Sequence, residues 1–133
     1  MRDDEKVLEH LKMIQGVIER MGRNSFQLKA WSAALATGWL AFVAQGGTGQ
    51  LQPGILVLVP FIILFTLDGY YLWQERLFRG LYDAVRGVES TDYSMVTSDN
   101  GGFWRALFSR TVLLYHVAPV LLVAVATPGV MNA

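Results

Sequence analysis

The sequence contains no cysteine, which excludes disulfides and cysteine-ligated zinc. It has two histidines, far apart in the chain, so a histidine-rich metal site is not expected. Charge is scarce as well: 17% of the 133 residues are charged, against about 25% in an average soluble domain. The net charge is zero, and bulk electrostatics gives no reason to expect direct nucleic-acid binding. No nucleophile–base pair, glycine-rich phosphate cradle or metal-ligand cluster stands at a meaningful spacing. The expectation is therefore a protein that is not an enzyme, with no catalytic residue, cofactor or metal. Residues 1–25 mix acidic and basic side chains and lack the apolar stretch of a secretory signal.

What is present is segregation. All eleven Lys and Arg and all eleven Asp and Glu fall into two blocks, Arg2–Lys29 and Asp68–Arg110. Residues 30–67 carry no charge, and after Arg110 only His116 can acquire one. A bilayer core about 30 Å thick needs roughly 20 apolar helical residues. This pattern predicts an all-α membrane protein of one domain with three transmembrane helices, at 26–45, 54–73 and 108–127. Ala44–Gly54, rich in Gly, Gln and Pro, separates the first two. Pro60 and Pro119 lie inside predicted spans, where neighbouring helices can cover the freed carbonyls. Every Lys and Arg lies before the first span, between the second and third, or, for Lys29 and Arg110, within the first four residues of a span on that same side. That asymmetry predicts a protein with its N terminus on the cytoplasmic side of the membrane and its C terminus outside. Trp31, Trp73 and Trp104 fall near the predicted inner boundary.

Helical character extends beyond the predicted spans. Val7, Leu11, Ile14, Ile18 and Met21 repeat at 4-3-4-3 spacing, an a/d seam within a cytoplasmic helix over 1–25. It suits a homo-oligomer seam, packing against the chain's own second cytoplasmic helix, or an amphipathic helix on a bilayer. The acidic residues Asp3, Asp4, Glu5, Glu9 and Glu19 disfavour the last of these. After the second span, 74–87 keeps a helical pattern, with opposite charges at Glu75–Arg79 and Arg79–Asp83. Residues 88–107 read as a loop followed by an interfacial segment.

Lys29, Asp68 and Arg110 reach similar depth at the predicted inner edge, and His116 lies one and a half turns into the third span. These four are the candidates for intramembrane pairing or an ion path, with Asp68 expected to pair with Lys29 or Arg110. A carboxylate meeting water and an imidazole bonded across helices are the plainer alternatives.

Two blocks carry a resemblance. Lys12–Trp31 (KMIQGVIERMGRNSFQLKAW) and Leu67–Tyr82 (LDGYYLWQERLFRGLY) resemble a group of small bacterial membrane proteins. That group is similar to the membrane accessory protein of type VI-B, RNA-targeting CRISPR systems. The resemblance implies an oligomeric membrane pore or membrane-perturbing effector in antiphage defence, placed in the bacterial inner (cytoplasmic) membrane with its N terminus cytoplasmic and its C terminus periplasmic or extracellular. The partners it implies are lipid, further copies of the chain and a soluble defence protein. Arg110–Thr–Val–Leu–Leu–Tyr–His116 also fits the Arg–x4–6–His pattern once used to link that accessory to HEPN ribonucleases. RNA cleavage needs both groups in water beside a basic groove, which predicted burial in a span denies them. The alternative to a pore is a non-conducting membrane adaptor that recruits a soluble partner through its cytoplasmic helices.

Overall fold

The computed structural model describes residues 2–45, 51–99 and 101–126, with the side chains of 51–57 left aside. Four helices follow one another: α1 (Asp3–Ala44), α2 (Leu51–Val85), α3 (Phe103–Leu107) and α4 (Arg110–Ala126).

α1 begins where the acids cluster. Asp3, Asp4 and Glu5 occupy its first turn, where the helix dipole favours negative charge. The Arg2 amide donates to the Glu5 carboxylate at 3.3 Å, satisfying one amide the helix cannot. The 4-3 seam then faces inward: Ile14 is fully buried, and Val7, Leu11, Ile18 and Met21 are half-buried. The same stripe continues through Ser25, Leu28, Ser32, Ala36 and Trp39, all buried. One spacing therefore buries a single face of α1 along its whole length.

α2 returns antiparallel to α1. Gly22 faces Glu75, Ser25 faces Asp68, and Trp39 clusters with Phe61. Glu75 and Arg79 form the i,i+4 ion pair at 2.6 Å, while Asp83 pairs with Arg86 at 3.5 Å and not with Arg79. Helix α2 thus runs without a break from the apolar stretch into the charged one.

Beyond Val85 the chain climbs back along α2 as an extended strap. Its Ser, Thr and Asp side chains replace a sheet or helix as backbone partners. Thr91 accepts from the Tyr93 amide, Asp92 from Ser94, Ser94 from Val96 and Asp99 from Gly101. α3 then presses on α2 at Gly69, where the Leu107 side chain and Cα crowd the space a Cβ would take. Ser109 caps α4 by accepting the Val112 amide at 3.4 Å. α4 runs parallel to α1, matching Ser32 with His116 and placing Trp39 and Val123 in one apolar cluster.

The expectation of three membrane spans requires correction. Among the described residues no helix is long and apolar enough to cross a membrane. α4 has 17 residues, about 25 Å at 1.5 Å each, short of a bilayer core of about 30 Å. In α1 the uncharged stretch starts beside Lys29 and is diluted by Ser32, Thr37 and Gly38. In α2 the described apolar stretch ends at Asp68 and continues into polar sequence. The inner-membrane location and the pore that depended on those spans fall with them. Part of the expected Ala44–Gly54 break, residues 46–50, and Thr127 at the end of the expected third span lie outside the described residues.

Candidate functional site: a buried carboxylate joining three helices

The middle of the bundle is polar. The seam of α1 carries Ser25 and Ser32 where apolar residues would continue it, with Lys29 between them on the same side. α2 contributes Asp68 and α4 contributes His116. Asp68 is fully buried, Ser32 fully buried and His116 2% exposed. Burial of this kind is costly unless every polar atom finds a partner.

Here the partners are found. Lys29 Nζ lies 2.7 Å from each Asp68 carboxylate oxygen. The Ser25 hydroxyl donates a short hydrogen bond to Asp68 Oδ1. His116 Nε2 lies 2.9 Å from Asp68 Oδ2, and His116 Nδ1 lies 2.6 Å from the Ser32 hydroxyl. With the imidazole neutral, Nε2–H donates to the carboxylate and Nδ1 accepts from Ser32. Burial alone raises the Asp68 carboxyl, but hydrogen bonds from His116, Lys29 and Ser25, with the Lys29 charge, outweigh it and hold it below its ordinary value.

Comparison with known protein families, with curated proteins and with solved structures finds no match. The chemistry must be read from the geometry. Ser32, His116 and Asp68 form a hydroxyl–imidazole–carboxylate chain in the order of a hydrolase triad. Ser32 is enclosed in mid-helix, where backbone amides serve the helix and leave none to bind an oxyanion. No acyl substrate reaches that hydroxyl, so the arrangement fastens helices and does not attack a carbonyl.

Of the four candidates singled out in the sequence, Lys29, Asp68 and His116 meet. Arg110 does not: it is exposed at the start of α4. Arg110 and His116 therefore face different environments, and the Arg–x–His spacing makes no composite site. The five seam residues Val7, Leu11, Ile14, Ile18 and Met21 face into the chain's own fold. Sequence reading missed Ser25 and Ser32. Their signal was present, as two small hydroxyl residues seven apart in an apolar stripe with Lys29 between them. Among the described residues no group of three or more His, Cys, Asp or Glu could hold a metal ion.

Proposed function

We propose that the chain is an interaction protein, not an enzyme, and that its copies assemble through the apolar half of the bundle. The observation that supports this is what lies outside the polar cluster. Trp31 and Phe42 on α1, Ile62 and Ile63 on α2, and Leu121 and Val125 on α4 are 49–73% exposed. No charged side chain interrupts them, since 30–67 and the residues after Arg110 contain no Asp, Glu, Lys or Arg. These exposed apolar side chains come from all three long helices. A monomer normally exposes patches of a few hundred Å², and about 800 Å² per partner makes a standard interface. A second copy brings a matching apolar face without any buried charge.

The α2–α4 surface also offers a seat. A groove of about 170 Å³, lined by Leu58, Phe61, Ile62, Phe65, Val117 and Val120 beside His116, has the size of one large apolar side chain. A role in antiphage defence rests on the resemblance of the two sequence blocks alone. Those blocks are the segments that carry Ser25, Lys29 and Asp68.

The absence of cysteine makes the test direct. Single cysteines at Ile62, Leu121 or Val125 should form covalent dimers on oxidation, while one at Glu19 should not. Equal and sparse cross-linking at all four positions overturns the proposal.

A further inference from the structure

Near the far end of the α1–α2 hairpin, away from the polar cluster, the strap borders a groove of about 480 Å³. That volume falls within the range of small-molecule sites, roughly 300–1,000 Å³. Its two walls differ in character. α2 supplies Leu81, Ala84 and Val85, with Val88 just beyond its end, and the strap opposes them with hydroxyls and the Asp92 carboxylate. α1 contributes His10, the buried member of the lining at 1% exposed. Its Nδ1 lies 2.6 Å from the Thr91 hydroxyl, and its Nε2 is buried with no hydrogen-bond partner among the described residues.

Thr91 Oγ1 already accepts the Tyr93 amide at 3.2 Å. Giving the Thr91 proton to Nδ1 uses every donor of the pair and places the ring hydrogen on Nε2. A buried N–H without an acceptor is costly, and a ligand that brings one removes the cost. A nitrogen that carries its hydrogen has no lone pair free, so the missing partner is not a metal ion. Charge narrows the choice further. Asp92 holds the Ser94 amide with one oxygen, and Glu9 accepts the Tyr93 hydroxyl at 2.9 Å. Lys6, one turn before His10, is engaged by Asp3. This end of the groove is therefore anionic, disfavouring a carboxylate or phosphate and welcoming a donor N–H.

We infer that the groove binds a small uncharged amide. Its carbonyl oxygen accepts from His10 Nε2, its N–H donates to Asp92, and its apolar body lies on Leu81, Val85 and Val88. A fatty acid suits the apolar wall but opposes Asp92. An alkylamine suits Asp92 but brings no acceptor to Nε2, and an alcohol must serve both ends from one atom. The amide carries acceptor and donor on separate atoms of one uncharged group. Nε2 is covered from water, so the ligand oxygen enters as the strap side chains adjust around it. The site lies apart from the apolar half of the bundle and stands whether or not copies assemble.

The test is titration of the isotope-labelled full chain with hexanamide, read by nuclear magnetic resonance at the His10 ring nitrogens and the Val85 and Val88 methyl groups. Hexanamide should shift these signals together to saturation, and hexanoate at the same concentrations should leave them in place. His10→Phe should weaken hexanamide binding about three- to tenfold, the worth of one hydrogen bond. Val88→Trp, at an exposed position of the groove wall, should block binding while leaving His10 in place. This variant decides the question if His10→Phe fails to fold. The absence of a saturable shift overturns the proposal, as does an equal response to hexanoate or undiminished binding in either variant. Shifts confined to Val117 and Val120 also overturn it, because they place hexanamide in the α2–α4 groove instead.

Discussion

Lys29 Nζ stands equidistant, at 2.7 Å, from the two carboxylate oxygens of Asp68, although 39 positions separate the residues. The ammonium closes one side of a carboxylate whose other contacts come from Ser25 and His116. α1, α2 and α4 are thus tied through one anion, and its removal should be felt by all three.

Asp68→Ala should cost about 3–5 kcal/mol, because it leaves a largely buried ammonium without its partner. Replacing the pair together, Lys29→Met with Asp68→Leu, should cost less than either single change, since no unpaired charge remains. Urea denaturation of the two singles and the double measures the coupling. Additive effects would mean that the pair does not act as a unit.

Acid should loosen the bundle, and the sign follows from the lowered Asp68 carboxyl. The folded form binds this proton less readily than the unfolded chain, whose ordinary value is 3.8. The contribution is therefore complete above that value and declines as pH falls from it toward the folded value. Thermal melting from pH 6 down to pH 2.5 should show a drop in this window. Asp68→Asn should flatten it.

Gly69 and Gly16 should respond oppositely to a methyl group. A Cβ on Gly69 would meet Leu107 Cδ1 at 2.5 Å and its Cα at 3.0 Å, so α3 would have to move away from α2. Gly69→Ala should destabilise by about 1–3 kcal/mol. Gly16 lies on an exposed part of α1 with nothing near, and Gly16→Ala should stabilise by about 0.5–1 kcal/mol through helix propensity. Chemical denaturation of both variants gives the comparison.

The helices were legible for a simple physical reason. The 4-3 stripe of Val7, Leu11, Ile14, Ile18 and Met21 announces one buried helical face, and the Ser/Thr/Asp content of 89–99 announces a segment bonded to its own side chains. A run of uncharged residues is not the same as apolar helical length, which is why the sequence suggests three spans where no described helix is long and apolar enough to cross a membrane. Ser32, Thr37 and Gly38 are uncharged yet dilute α1, and the third expected span is a 17-residue helix. The meeting of Lys29 with Asp68 was foreseeable from their matching positions at the ends of the uncharged stretch. His10 was not, because its burial depends on a strap that reaches it from 81 residues away. No periodicity within α1 carries that information.

Assembly of copies is the claim on which the functional account depends, and particle mass tests it most directly. Sedimentation of the full chain in aqueous buffer should give a species at a multiple of 14.8 kDa. Ile62→Glu should push that species toward the single-chain mass. A particle of 14.8 kDa for the unaltered chain would contradict the account, as would a chain that leaves water only when lipid vesicles are supplied.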